Sequence, residues 1–258
     1  MAVGNNIKKE FLDRQVEAFF ERGRSGGLLW RHKKVLDLVL KYSKWGDNVL
    51  DVGCFDGVLL KQLERMGYRN LYGIDFSEVS RKSFLRTKIK FSSCDVEKGK
   101  IPFRKKFDVV IFSDVLGCLF SPQTVLYDIR KYLTPRGKII FSTPNAGYFL
   151  NWILLTFLPS KLFLSTSFGP WGNVYHFTFY KVRLMARELG YRIVSLKGGK
   201  IDNYAFKSGI KRLVFDVFTL ASYPLTLLLP EIFSAHIFAV YQNTGAKQKE
   251  GARFELGD

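Results

Sequence analysis

The nine residues Val49-Leu50-Asp51-Val52-Gly53-Cys54-Phe55-Asp56-Gly57 constrain this chain more than any other stretch. An apolar run carrying Asp51 gives way to a glycine-punctuated turn, and an amphipathic segment, 58–66, follows. The order is strand, tight loop, helix, which brings backbone close to a nucleotide-like ligand at a helix N-terminus. Eighteen residues past Gly57, the run Leu71-Tyr72-Gly73-Ile74-Asp75 closes a second apolar stretch with an acid. A carboxylate at the tip of a second strand can accept both hydroxyls of a ribose. The two features together point to an adenosine-containing cofactor.

The glycine register discriminates between cofactors. A dinucleotide fingerprint counted from Gly53 needs glycine at 55 and 58, where this chain has Phe55 and Val58. The pattern acid-x-Gly-x-Gly-x-Gly, counted from Asp51, is met at Asp51, Gly53 and Gly57 and departs only at Phe55. Here the chain resembles the class I S-adenosylmethionine-dependent methyltransferases, whose first motif is that pattern. Charge agrees, because an acid ending the first strand repels a pyrophosphate and suits a cationic amine. Phe55 is the departure. Glycine is favoured where backbone turns through positive φ or passes close to a ligand, so Phe55 either keeps an ordinary φ or holds a strained one. Its ring is expected over the cofactor pocket or the acceptor entrance.

The resemblance implies a Rossmann-like, doubly wound α/β fold. Its sheet would be mostly parallel and seven-stranded with an antiparallel last strand, accompanied by N-terminal helices and an apolar cap inserted after strand five. The residues themselves show the alternation. Strands are expected at 49–52, 71–74, 90–93, 107–113, 138–143, 192–197 and 234–242. Helices are expected at 7–22, 28–44, 57–66, 77–86, 121–133 and 178–190, with a loop and apolar helix over 203–229. Residues 23–27 read as a flexible joint. The expected organisation is one domain, 1–242, with a helical lid over 1–47, a cofactor core over 48–145, an acceptor-side cap over 146–180 and closing elements over 181–242. A loose polar tail, 243–258, follows.

The resemblance carries cofactor contacts to Asp51, Gly53, Cys54, Phe55, Gly57, Asp75, Phe76, Asp95, Val96 and Ser113. Asp75 matches the ribose-binding acid. Cys94-Asp95-Val96 matches the adenine site, although an Asp after a strand is also a good helix cap. Phe107 to Asp114 matches the fourth strand, whose end faces the transferable methyl, which expects Ser113 and Asp114 at the reaction mouth. Many relatives then read Glu-His, where this chain has Gly117 and Cys118. The Asn/Asp-Pro-Pro-aromatic motif of nucleic-acid amino methylases is absent from Ser142-Thr143-Pro144-Asn145. Tyr175-His176-Phe177-Thr178-Phe179 resembles the acceptor-side stretch of methyltransferases related to methionine- and quinone-biosynthesis proteins.

His176 and Asp114 are therefore the candidate catalytic residues. A hydroxyl acceptor must lose its proton, and a histidine near neutral pKa suits that step. A structural role for His176, capping the helix at 178, is the alternative. Trp30 is a candidate lid residue or a packing residue. His32 stands among Arg31, Lys33 and Lys34, and His236 sits in an apolar strand.

Composition narrows the partners. Apolar residues make up 47% of 258, which excludes wholesale disorder. Cys54, Cys94 and Cys118 form no metal or redox pattern, so no metal is expected, and a reducing, cytoplasmic setting follows. The net charge of +17 is spread along the whole chain and favours anionic partners, with a lipid surface or nucleic acid among them. Residues 217–230 are uncharged but only 14 long and interrupted by Pro224, against roughly 20 for a span. The aromatic and leucine-rich segments 148–164 and 213–229 also suit peripheral membrane contact. The expected function is methyl transfer from S-adenosylmethionine to a small molecule, anionic or lipid-like, at oxygen. An RNA or protein acceptor, or a non-catalytic cofactor-binding protein, are the alternatives.

Overall fold

The apolar runs read from the sequence assemble side by side into one sheet. Its strands are β1 (Val49–Val52), β2 (Leu71–Asp75), β3 (Lys90–Ser93), β4 (Phe107–Ser113), β5 (Leu133–Pro144), β6 (Tyr191–Gly199) and β7 (His236–Asn243). Their spatial order is β3-β2-β1-β4-β5-β7-β6. β1 to β5 pair in parallel, and β7 runs antiparallel to both its neighbours. This computed structural model describes residues 28–157, 173–200 and 224–245, together with 13, 14 and 17. Most of the helix expected over 7–22, the joint 23–27, most of 203–229 and the tail beyond 245 lie outside the described residues.

The central strands β1 and β4 are largely apolar on both sides because both faces are covered. All four residues of β1 are buried. Leu50 and Val52 join Val110 and Phe112 in one core layer, while Val49 joins Val109 and Ile111 in the other. α1 (Trp30–Tyr42) and α2 (Val58–Arg65) cover the second layer with Val35, Val39, Leu60 and Leu63. α3 (Pro122–Ile129) and α5 (Phe179–Glu188) cover the first with Leu126, Ile129, Val182 and Met185. α4 (Phe149–Phe157) follows β5. The strand order reverses between β1 and β4, and open α/β sheets bind ligands outside the carboxyl ends at such a reversal.

Three expected elements differ from the sequence expectation in type or by more than two residues. The helix expected at 77–86 is a 3-10 helix, Glu78–Phe84, entered through Ser77, whose hydroxyl accepts from the Val79 N–H at 3.2 Å. Serines are modest helix formers, and Phe84 is drawn onto Phe91, with ring centroids 4.8 Å apart. The helix expected at 121–133 ends at Ile129 and tightens to a 3-10 turn, Arg130–Tyr132. β5 starts at Leu133, five residues before the expected strand, because Phe107 pairs with Leu133 and Val109 with Lys138, leaving an irregularity between them. Gly137 lies there, where an added Cβ would stand 2.9 Å from the Phe107 carbonyl oxygen.

Candidate functional site

The loop after β1 passes through the left-handed region at alternate residues: Gly53 at φ +70°, Phe55 at +47° and Gly57 at +73°. The acid-x-Gly-x-Gly-x-Gly backbone is thus kept at the one position where glycine is missing. Phe55 holds the strained φ rather than an ordinary one, at a cost of about 1–2 kcal/mol. The loop stays folded because its donors are committed. The N–H groups of Gly53 and Cys54 both donate to the Ile74 carbonyl, at 2.8 and 3.1 Å, and that of Gly57 to Cys54 at 2.8 Å. The glycines also meet packing limits. An added Cβ would lie 2.4 Å from Val115 at Gly53 and 2.5 Å from the Phe84 ring at Gly57. The Cys54 side chain is buried in the core against Gly73, so Cys54 presents backbone rather than its thiol to the loop.

Three acids ring this loop. Asp75 accepts from the Phe55 N–H and from the Ser77 N–H, both at 2.9 Å. Burial pushes its carboxyl up, while those two N–H groups and the Ser80 hydroxyl oppose the shift. Asp51 is 2% exposed, and its Oδ1 is buried without a hydrogen-bond partner. Burial raises its pKa well above the usual carboxylate range, with Asp75 and then Asp56 adding to the rise. A buried carboxyl oxygen with no donor is costly unless something completes it. A cationic amine would. From the N-terminal side, Asp13 accepts from the Ser77 hydroxyl, which brings residue 13 to the Asp75 turn.

The next turn lies alongside. The Cys94 N–H donates to the Asp75 carbonyl at 2.8 Å. Asp95 accepts from the Glu97 N–H at 3.1 Å and so caps the 3-10 helix Val96–Lys98, as its helix-cap reading expected. Val96 packs against the core. Phe76 is half-buried, and its carbonyl accepts from the Ser93 hydroxyl at 3.2 Å.

At the end of β4 the Ser113 hydroxyl is buried without a partner. Asp114 adopts φ +57°, a second non-glycine residue in the left-handed region. Its carboxylate accepts from Ser142 Oγ at 3.0 Å and pairs with Arg31 Nε at 2.5 Å, while its N–H donates to the Ser142 carbonyl at 3.1 Å. Sequence reasoning missed Arg31 and Ser142. Arg31 reads as one cation in a basic run, and Ser142 as an ordinary strand residue. Gly117 has a packing reason. The Gly117 carbonyl accepts from Val174 and Tyr175 at 2.8 and 3.0 Å, and a Cβ there would stand 2.5 Å from Asn173 Oδ1.

His176 is exposed between Tyr175 and Phe177, and Phe177 bridges to Asn145 at the end of β5. Thr178, not His176, caps α5, accepting from the Lys181 N–H at 3.2 Å. Trp30 is committed to packing, edge-on to Phe238 at 5.7 Å and close against Gly199. His32 Nδ1 accepts from the Leu29 N–H at 3.4 Å, and His236 stacks on Phe238 at 6.3 Å. An open depression of about 490 Å³ lies elsewhere, between α4, α5 and the turn at 230–233, and includes none of the loop residues. No cluster of metal-ligating side chains occurs among the described residues.

Comparison with known proteins bears on the family and the fold. The family model for a methyltransferase domain matches residues 9–196. A ubiquinone biosynthesis O-methyltransferase of Hydrogenovibrio crunogenus is 27% identical over 151 residues, covering 55% of this chain and 61% of that protein. The chain spans about half the length of the curated relatives it matches. The magnesium protoporphyrin IX methyltransferase of Synechocystis PCC 6803, solved with bound S-adenosylhomocysteine, superposes with a TM-score of 0.60 at 16% identity, over 92% of this chain and 98% of that one. A chain of the Haloferax volcanii complex of the Trm112 methyltransferase activator with a methyltransferase gives 0.61 at 15%, over 93% and 97%. These two structures share the fold. The chain belongs to the methyltransferase-domain family of class I S-adenosylmethionine-dependent methyltransferases.

Proposed function

We propose that this methyltransferase acts on an oxygen atom of a small molecule, with the loop 53–57 and Asp75 as the cofactor cradle. The observation that carries the cradle is the convergence of a left-handed loop, a buried unpaired Asp51 oxygen and the Asp75 carboxylate at the sheet's reversal point. In this reading Asp51 completes its unmet hydrogen bonding with the amine of the methionine portion. Asp75 keeps its two backbone donors and accepts the ribose hydroxyls with its remaining lone pairs. Asp95, Val96 and Phe76 border the adenine, and Ser113 faces the reacting end.

S-adenosylmethionine supplies, when bound, a methyl group on a sulfonium sulfur. The protein's part is alignment of the acceptor and handling of its proton. His176, exposed beside the end of β5, takes that proton from the acceptor hydroxyl. Asp114 is held by Arg31 and Ser142 and shapes the mouth. Oxygen is favoured because the ubiquinone biosynthesis relative is an O-methyltransferase.

The test has two stages. Calorimetric titration is expected to show binding of S-adenosylmethionine and S-adenosylhomocysteine and none of a nicotinamide dinucleotide; the reverse result overturns the cradle. A screen with radiolabelled methyl donor is then expected to label hydroxylated acceptors before amines. The charge of +17 keeps an RNA acceptor as the second reading. That reading predicts RNA binding that falls steeply with salt.

A further inference from the structure

Half of the exposed large apolar side chains among the described residues fall in two short segments, α4 and 225–232. On α4, Trp152 is 66% and Phe157 73% exposed. In the second segment Leu228 is 75% exposed, with Leu227 and Ile232 also outward. The two segments are neighbours. The Phe149 and Phe233 rings lie 5.1 Å apart, and Trp152 and Ile232 line the same 490 Å³ depression. Buried Asn145 fixes this face to the end of β5, donating to the Glu231 and Ser234 carbonyls at 2.9 and 2.8 Å. The face therefore stands at the carboxyl end of the sheet, the side on which β4 and β5 present Asp114 and Ser142.

Its charge pattern selects a partner. Residues 145–158 contain no ionisable acid or base other than Tyr148, and 217–230 none other than Tyr223. The acid within 225–232, Glu231, is paired with Arg183 at 2.6 Å. Lys181 and Arg183 stand on the adjoining helix, in a chain of net charge +17. A protruding Trp, Phe and Leu face whose carboxylate, Glu231, is neutralised by Arg183, carried by a cationic body, has the two attractions that hold a protein on an anionic bilayer. No helix among the described residues is long and apolar enough to cross a membrane, so contact would be with the surface only.

We infer that the α4 and 225–232 face docks on the surface of an anionic lipid bilayer, turning the carboxyl end of the sheet toward the lipid. This goes beyond methyl transfer and does not rest on it. The experiment is co-sedimentation of the full chain with vesicles of phosphatidylcholine alone or mixed with phosphatidylglycerol, at low and high salt. Binding to the mixed vesicles is expected, weakened by salt, with tryptophan emission quenched when brominated lipid is included. The double variant Trp152→Ser, Leu228→Ser is expected to lose at least about tenfold in partitioning, two large apolar side chains being worth more than that when buried. Its circular dichroism and melting temperature should stay unchanged, because both side chains are already exposed. Three results would overturn the inference. They are no sedimentation with anionic vesicles at low salt, no quenching of the wild-type chain by brominated lipid, or self-association of the wild type that the double variant abolishes, which would assign the face to a second copy.

Discussion

The Asp75 carboxylate accepts the backbone N–H of Phe55 at 2.9 Å, clamping the end of β2 to the middle of the loop that follows β1. One side chain thus both shapes the loop and closes the proposed ribose site. Asp75→Ala is expected to lower S-adenosylhomocysteine affinity by about a hundredfold or more, since hydrogen bonds to a charged group contribute about 1.5–3 kcal/mol each. It should also lower stability by about 1–3 kcal/mol, through the Phe55 and Ser77 N–H groups it leaves unmet. Calorimetry and urea unfolding measure the two effects. Unchanged affinity would remove Asp75 from the site.

Phe55 sits at φ +47° where the family motif has glycine. Phe55→Gly relieves about 1–2 kcal/mol of backbone strain and gives back roughly 0.5–1 kcal/mol in unfolded-chain entropy. Stability is therefore expected to stay within about 1 kcal/mol of the parent. Phe55→Val should be worse than Phe55→Gly by about 1–2 kcal/mol, because a β-branched residue resists positive φ most. Thermal melts of the pair decide it. Equal stabilities would mean that the loop relaxes away from its left-handed form.

Asp51 gives a pH signature. Its carboxyl is raised well above the usual range by burial, then by Asp75 and Asp56. The folded chain therefore holds this proton to higher pH than the unfolded chain does. Its contribution to stability is complete below the ordinary aspartate value and is lost as pH rises through the raised one. Binding of a cationic amine favours the ionised form, so affinity for S-adenosylmethionine is expected to increase as pH rises through that window, with proton release. Asp51→Asn should flatten this dependence while raising the stability of the unliganded protein at neutral pH. Titrations in two buffers of different ionisation enthalpy count the protons. A wild-type profile as flat as that of the variant would refute the assignment.

Arg31 ties α1 to the end of β4 through Asp114, with both side chains about three-quarters buried. Arg31→Ala is expected to cost about 1–3 kcal/mol, mainly because the Asp114 carboxylate loses its counter-charge and keeps only Ser142. Adding Asp114→Asn to it should recover part of that loss. A double-mutant cycle by urea unfolding measures the coupling, which should exceed about 0.5 kcal/mol.

His176→Asn is expected to reduce turnover about a hundredfold or more with S-adenosylhomocysteine affinity unchanged, as suits a group that handles only the acceptor proton. The readout is kcat at saturating acceptor beside calorimetric affinity for S-adenosylhomocysteine. Turnover equal to that of the parent would make His176 a bystander.

Much of the cofactor half was legible in the residues. β1, β3 and β4 begin and end at the residues the sequence led one to expect. Those strands are short, and turn residues or an acid bound them, so local pattern and tertiary environment agree. Other positions were not legible. Residues 134–137 fall between the helix expected at 121–133 and the strand expected from 138, yet pairing of Leu133 with Phe107 draws them into β5. Arg31 looked like one of several surface cations until α1 packed across the sheet and set it against Asp114. Gly117 looked like a lost catalytic position, whereas the approach of Asn173 and Tyr175 leaves no room for a side chain there.

Sequence alone determined the strand-loop-helix unit, the acid eighteen residues beyond it and the alternation that makes a parallel sheet. These depend on neighbours in the chain, on turn chemistry and on a two-residue period. The tertiary structure decided which acid is left unpaired in the interior, that Phe55 is held in a glycine conformation, and that two separate apolar segments share one exposed face. Burial, strain and contiguity are properties of chain segments brought together from far apart, and no local pattern encodes them.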